Sequence, residues 1–477
     1  MLRRTDSRPA GTTLSAEDTE LTAADKESAE AVHQRRSLPW WRLRTWRKDL
    51  DALTRLRDGL QALDLDDSER SGDESDGSAE AEPSAGTDAP AGDGSADQAV
   101  AAIRETFVLV AAAGDDAAAY FYAWLFLRRP ELRELFPPAM DEQRDRLFRS
   151  LARIVESLST PEEMASYLTQ LGRDHRKYGV EPAMYEAVGE ALLATLRAFA
   201  ESAFTPAAEE AWGQTYTAGS ALMIRAAEDD AAVAPACWTA EVIEVQQRGG
   251  GIAVLTVAPD RVLPYQAGQH LTVQTKRWPR VWRPYSIACR PREDGLISLH
   301  VKAVPGGWVS GALALHTEPG DELTLGPALG TMTLSHAERR DLLCVAGGTG
   351  LSPVKAIIEQ VVRDSAASPR EVFLFYGARK RDELYDMKEL WRLTDAYSGL
   401  HLTPVTSDDP AFDGMQGNVG RVAARYMPHK DLEAYVAGPP DMVRETIRVL
   451  KRAGISRERI HYDDALLAAR PRVGSGT

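Results

Sequence analysis

From Gln98 to about Asp230, apolar residues recur every three or four positions and almost no alternating run interrupts them. Leu147, Leu151, Ile154 and Leu158 step by four, three and four; Tyr185, Val188, Leu192, Leu196 and Phe199 step by three, four, four and three. Each set puts one apolar stripe on a helix that faces a core. Thr160-Pro161-Glu162-Glu163 reads as an N-cap, a proline at the first helical position and a capping-box acid, and Thr205-Pro206 opens a second helix alike. Helices are expected near 98–112, 114–128, 141–158, 162–176, 182–203 and 206–228. They make an all-α domain over 98–232.

At Trp238 the period shortens from about 3.6 to 2. Thr239 to Val257 alternates as a hairpin does, turning at Gly249-Gly250-Gly251. His270–Thr275, Tyr285–Cys289, Leu296–Val301 and Glu322–Leu325 are further short strands set off by Pro and Gly. That pattern suits a small antiparallel β-barrel over 236–335. Beyond Asp341, strands at Leu342–Ala346, Val372–Tyr376, His401–Val405 and Ala434–Ala437 alternate with helices. This predicts a doubly wound α/β domain over 338–477 with right-handed crossovers.

Residues 1–97 carry no such pattern. Ser71 to Asp97 is Gly, Ser, Ala, Pro and acid, too polar to offset chain entropy by burial, and is expected to be disordered. The formal charge of the 477-residue chain is −15, from 56 Lys+Arg and 71 Asp+Glu. Between Asp64 and Asp97 stand 12 acids and one base, Arg70, so 11 of the 15 excess negatives lie there. The remainder is near neutral, which argues against a nucleic-acid partner. Within the tail, Trp40, Trp41 and Trp46 stand among Arg42, Arg44, Arg47 and Lys48, followed by Leu53, Leu56 and Leu60. A helix over 40–60 would suit an anionic membrane surface or a protein partner, or form a short nascent helix with no role. Cys237, Cys289 and Cys344 are too scattered for a disulfide framework or thiolate zinc site. With no run of 18 apolar residues and no secretory signal, the expected location is the cytoplasm.

The helical domain holds one histidine, His175, on the stripe Leu168, Leu171, His175. Taken alone it reads more readily as a hydrogen-bonded core residue than as an axial ligand to haem iron, though a haem in such a fold needs an imidazole or thiolate. Arg283-Pro284-Tyr285-Ser286 presents an aromatic ring, a hydroxyl and a cation suited to a flavin ring, its N5 and its pyrophosphate. Gly306-Gly307-Trp308-Val309-Ser310 follows about twenty residues on and opens a helix whose N–H groups suit a pyrophosphate, with Gly307, Val309 and Ser310 as contacts. After the strand Leu342–Ala346, the turn Gly347-Gly348-Thr349-Gly350 starts another helix in the manner of a dinucleotide loop. Gly438-Pro439 follows the strand Ala434–Ala437 as its second wall. Arg379 and Arg381 stand where an adenosine ribose or its phosphate would lie, or serve as solvated loop charges, so NADH and NADPH both stay open.

Tyr122, the segment Pro130–Phe136, Gln143-Arg144, His175, Tyr185 with Val188-Gly189-Glu190, and Trp212-Gly213 occur in an order and spacing that resembles the flavohaemoglobins. The resemblance runs from about 98 to 464. It implies a globin-like domain that binds haem b, joined to an FAD barrel and an NAD(P) domain, with O2 and nitric oxide as substrates. It implies His175 as proximal iron ligand, Tyr122 and Gln143 as distal hydrogen-bonding groups, and Phe136 and Leu147 as porphyrin contacts. Tyr185 is implied to orient the histidine. The alternatives are a reductase for other acceptors, an oxygen- or redox-sensing globin, and a globin without haem. Departures from the family pattern are Ala227, with Glu228 one residue late, Asp174 before the histidine, Ala437, and Ala465 where His461-Tyr462-Asp463-Asp464-Ala465 replaces a motif ending in an aromatic.

Overall fold

The computed structural model describes residues 93–334 and 339–463. The Trp/Arg segment, the acidic run before Asp93 and Asp464-Ala465 lie outside them. Two compact bodies emerge, one of residues 93–172 and 180–226, the other of 173–179 and 227–463.

The first body is helical. Its elements are α1 (Asp93–Ala113), α2 (Asp115–Arg128), a 3-10 turn (Pro130–Leu135), α3 (Asp141–Glu156), α4 (Pro161–His175), α5 (Met184–Phe199) and α6 (Pro206–Val233). The helix expected at Gln98 begins at Asp93, since Ala96, Ala99, Ala101 and Ala102 form a run of high helix propensity that extends it backwards. Pro161 starts α4 as expected, but the Thr160 hydroxyl donates to Glu163 at 3.1 Å rather than accepting a backbone N–H. At Thr205 the expected cap forms, with the Ala208 N–H donating to its hydroxyl at 3.2 Å. Ile103, Phe121, Tyr122, Leu125, Leu196 and Trp212 anchor the core. The buried Trp212 indole donates to Thr106 at 2.8 Å, satisfying both polar groups inside apolar packing.

The second body carries two six-stranded sheets. β1 (Trp238–Gln247), β2 (Ile252–Pro259), β3 (His270–Thr275), β4 (Arg283–Ser286), β5 (Ile297–Lys302) and β6 (Glu322–Leu325) run in the order β4-β3-β6-β1-β2-β5, all antiparallel. A bridge from Ile287 to Leu299 joins the two edges, so the sheet nearly closes into a barrel around Leu255, Leu271, Ile287, Leu299 and Leu323. Helix α7 (Trp308–Leu315) follows β5.

β7 (Asp341–Gly347), β8 (Val372–Ala378), β9 (Leu400–Thr406), β10 (Met415–Gln416), β11 (Leu432–Ala437) and β12 (Ile460–His461) form the parallel sheet β10-β9-β8-β7-β11-β12. Helices α8 (Leu351–Asp364), α9 (Met387–Ala396), α10 (Val419–Tyr426) and α11 (Pro440–Ala453) connect its strands. On β7, Leu342, Cys344 and Ala346 enter one apolar core and Leu343 and Val345 the other, so both faces are covered. The strand order reverses between β7 and β11, where open α/β sheets hold their ligands. Among the described residues no helix is long and apolar enough to cross a membrane.

Candidate functional site

In the first body, Tyr122 projects from α2 into an aromatic cluster and is 5% exposed. Its ring stacks on Phe126 (centroids 5.8 Å) and meets Phe136 edge-on at 5.5 Å, while Phe126 and Phe136 lie 5.2 Å apart. Leu147 and Phe148, one helical turn beyond Gln143, pack against the same core. The Tyr122 hydroxyl donates to the backbone carbonyl of Gln143 at 3.4 Å, so the structure joins these residues through main chain. Burial pushes the Tyr122 phenol well above its ordinary pKa, outweighing Gln143, Arg144 and Arg146, so it stays a donor at neutral pH.

Tyr185 belongs to a smaller cluster with Leu168, Met164 and Met223, and burial raises its pKa also. Its carbonyl accepts the Tyr216 hydroxyl at 2.5 Å. Gly189 makes this possible: a Cβ there would lie 2.6 Å from the Tyr216 ring. The Val188-Gly189-Glu190 motif therefore encodes a close helix approach that ties the start of α5 to α6.

His175 ends α4 and is half-buried. Within the second body its ring meets Tyr178 edge-on at 6.2 Å, and Tyr178 meets Trp282 edge-on at 6.3 Å. Lys177 is paired with Asp174, and its ammonium lies 5.0 Å from the Tyr178 ring and 5.6 Å from Trp282. Asp174, a departure in sequence, is thus neutralised by a cation three residues on. Glu228 is exposed, so the one-residue delay does turn it outward, whereas Asp230 pairs with Arg176.

On the barrel, β4 sets Arg283 opposite Val273 and Tyr285 opposite Leu271, with Ser286 opposite His270. Burial raises the pKa of Tyr285. At the α7 N-terminus no side chain caps the backbone N–H groups. Ser310 instead donates to the Gly307 carbonyl at 3.2 Å, and Val309 is buried in the barrel core. Gly307 has no room for a Cβ, which would stand 2.3 Å from the Ser310 hydroxyl.

The two glycine loops of the parallel sheet meet at its switch point. Gly347 ends β7 and Gly348 takes a left-handed φ of 54°; Thr349 and Gly350 complete the turn into α8. A Cβ on Gly350 would lie 2.4 Å from the backbone of Ala437 and Gly438, and one on Gly347 would lie 3.2 Å from Pro439. The loops after β7 and β11 thus approach backbone to backbone, leaving N–H groups at a helix start for a diphosphate. Arg379 is exposed, and its side chain reaches Glu383 at 2.7 Å.

Sequence reasoning named Arg144 beside Gln143 but gave it no role; its buried Nε has no hydrogen-bond partner among the described residues. Its signal is a charge three residues before Leu147 and four before Phe148, on the apolar stripe of α3. It also passed over the stacked indoles of Trp278 and Trp308, which only the folded barrel brings together.

The globin family profile matches residues 119–221, the oxidoreductase FAD-binding domain 250–333 and the oxidoreductase NAD-binding domain 344–447. The xylene/toluene monooxygenase electron transfer component XylA of Pseudomonas putida is 34% identical over 230 residues. That match covers 47% of this chain and 65% of XylA, so the chain spans just under two thirds of that relative. A flavohemoprotein of Rhizobium meliloti is 25% identical over 396 residues, covering 76% of this chain and 96% of the relative. Among solved structures, a flavohemoglobin from Malassezia yamatoensis with bound FAD and heme superposes with a TM-score of 0.64 at 20% identity. It covers 77% of this chain and 98% of that one, and shows the shared fold.

Proposed function

We propose, from the globin, FAD-binding and NAD-binding matches and the likeness to flavohemoproteins along most of the chain, that it is a flavohaemoglobin that moves electrons from NADH or NADPH through FAD to haem b and oxidises nitric oxide to nitrate with O2. Nitrate holds one electron more than nitric oxide and O2 together. When bound, the flavin divides a hydride pair into single electrons and the haem iron delivers them to the gas.

The residues present fit these groups. Tyr122, Phe126, Phe136 and Leu147 supply an apolar wall, and the orphaned Arg144 Nε is a buried donor that a haem propionate or anionic ligand would satisfy. The uncapped α7 start and the close-packed glycine loops suit two diphosphates. In this reading His175 holds the iron, Tyr185 helps orient that imidazole, and Phe136 and Leu147 flank the porphyrin. Tyr122, held neutral by burial, donates a hydrogen bond to the oxygen substrate, with Gln143 as second polar group. Arg283, Tyr285, Ser286, Gly307, Val309 and Ser310 hold FAD. Gly347, Gly348, Thr349, Gly350, Gly438 and Pro439 hold the nicotinamide dinucleotide.

The observation that carries the reading is the buried, protonated Tyr122 beside Phe136 and the start of α3. Stopped-flow mixing of the reduced, oxygenated protein with nitric oxide tests it. Tyr122→Phe is expected to slow nitrate formation by about a hundredfold; a parent rate would remove Tyr122 from the chemistry. A second reading, a reductase serving an external acceptor, is favoured by the 34% identity of 230 residues to an electron-transfer component. Turnover with nitric oxide against soluble acceptors separates the two. The reading also places the protein in the cytoplasm without a nucleic-acid partner. Deleting residues 1–97 tests the tail: unchanged turnover with lost localisation or partner capture would assign residues 40–60 to a membrane surface or a protein.

A further inference from the structure

The residues assigned to FAD account for its flavin ring and its diphosphate and leave its adenine unassigned. Any place found for the adenine rests on that assignment. In FAD the diphosphate joins the riboflavin half to the adenosine half, so the adenine must lie beyond the diphosphate from the flavin ring. On this chain the order is fixed along one strand. Tyr285 and Ser286 stand at the end of β4 and Arg283 at its start, so the direction away from the flavin ring leads back into the loop 276–282. The second diphosphate element, Gly306-Gly307, leads directly into Trp308.

These two paths converge. Trp278, from the loop, and Trp308, on the first turn of α7, stack with centroids 4.9 Å apart and planes 17° from parallel. Trp278 packs against the barrel core, while Trp308 is 48% exposed. The loop is tied down around them. The Trp278 N–H donates to the Thr275 carbonyl at 3.0 Å and the Arg277 side chain reaches the His316 carbonyl, at the end of α7, at 3.1 Å. Arg280 is held at a left-handed φ of 66° while Gln274 accepts its N–H at 2.8 Å. Such a conformation is uncommon for a residue with a side chain and persists where its surroundings enforce it. An indole left half in water on a pinned frame offers a flat π-face, which purine bases cover well.

We propose that the Trp278–Trp308 pair is the platform for the adenine ring of FAD, which caps the exposed face of Trp308, and that it makes the barrel select FAD over FMN. FMN lacks the adenosine half, so the pair contributes nothing to its binding. The test is reconstitution of the flavin-depleted, full-length protein with FAD and with FMN, followed by flavin fluorescence. In the parent, FAD binds more tightly than FMN, and AMP competes with FAD. Trp308→Ala is expected to weaken FAD about tenfold or more and leave FMN unchanged, and Trp308→Phe to recover part of the loss. Equal affinity of the parent for both flavins would overturn the platform while leaving the flavin assignment intact. So would a Trp308→Ala protein that loses FAD and FMN alike, or neither. A parent that takes up neither flavin would instead sink the assignment on which the platform rests.

Discussion

The helical body and the reductase body state their chemistry in different terms. In the reductase, the positions proposed to hold the dinucleotide are written in glycine, because two loops meet where a Cβ on Gly350 would stand 2.4 Å from the Ala437 backbone. No other residue fits, so the motif survives as a short, local signature. In the helical body the proposed chemistry depends on side chains brought from separate helices, Tyr122 on α2 and Gln143 on α3, with Phe136 between them in sequence. Many apolar residues can line such a space. A site limited by backbone contact is legible as a short motif, and one limited by packing only in the fold.

The largest predicted effects separate the bodies. His175→Ala is expected to abolish haem retention, read as loss of the Soret band, while NADH still reduces the flavin and ferricyanide. Retention of the band and of ligand affinity would show that the porphyrin is held by another residue. Gly350→Val is the mirror experiment. Its side chain forces the two loops apart, and a displacement of about 1 Å costs on the order of a hundredfold. NADH-driven flavin reduction is expected to fall by about that factor with flavin content and Soret band unchanged. If flavin is lost as well, the two loops do more than hold the nicotinamide.

Which parts of the molecule were legible in the sequence follows from the same physics. The stripes of α3 and α5, the hairpin at Gly249 and the alternating strands and helices beyond Asp341 are periodic, and periodicity follows from local geometry. The offset at Glu228 was visible, but its exposure depended on where α6 ends its packing. Thr160 matched a capping box, yet its hydroxyl donates to Glu163, because a hydroxyl can act in either sense. Arg144 stood in the Gln143-Arg144 motif without a role; only packing shows its Nε buried without a hydrogen-bond partner among the described residues. Trp278 and Trp308 meet across 30 positions, and no local rule joins them.

A smaller effect concerns which nicotinamide the reductase takes. At the carboxyl ends of β8 and β9 lies a shallow, open cleft lined by Lys380, Arg381, Asp382, Asp408, Asp409 and Pro410. Three carboxylates there face two cations, and Arg379 is engaged by Glu383. A ribose diol donates to carboxylates, whereas a 2′-phosphate, with about −1.5 to −2 charges, meets a net negative wall. NADH is expected to exceed NADPH in kcat/KM by about tenfold or more. Asp408→Asn should narrow that ratio, and equal use of both by the parent would refute the assignment.

The smallest effect tests whether the reductase body depends on more than its glycine loops. His300 on β5 is 4% exposed, and its Nδ1 lies 2.8 Å from the Tyr385 hydroxyl. Burial, with the Lys355 and Arg248 charges, holds its pKa well below the ordinary 6.5, so it is neutral in the folded protein. In the unfolded chain the same ring takes up a proton as pH falls through 6.5. Below that pH the unfolded state therefore binds more protons, and folding stability falls by up to about 1.4 kcal/mol per pH unit. The loss continues until the depressed folded pKa is reached. Buried Asp386 is shifted upward and acts in the opposite sense, so the difference between parent and His300→Gln isolates the histidine. Urea unfolding between pH 7.5 and 5.5, followed by flavin release, is expected to show a shallower acid slope in the variant. Identical slopes would mean that His300 gains a proton in the folded state as readily as in the unfolded one.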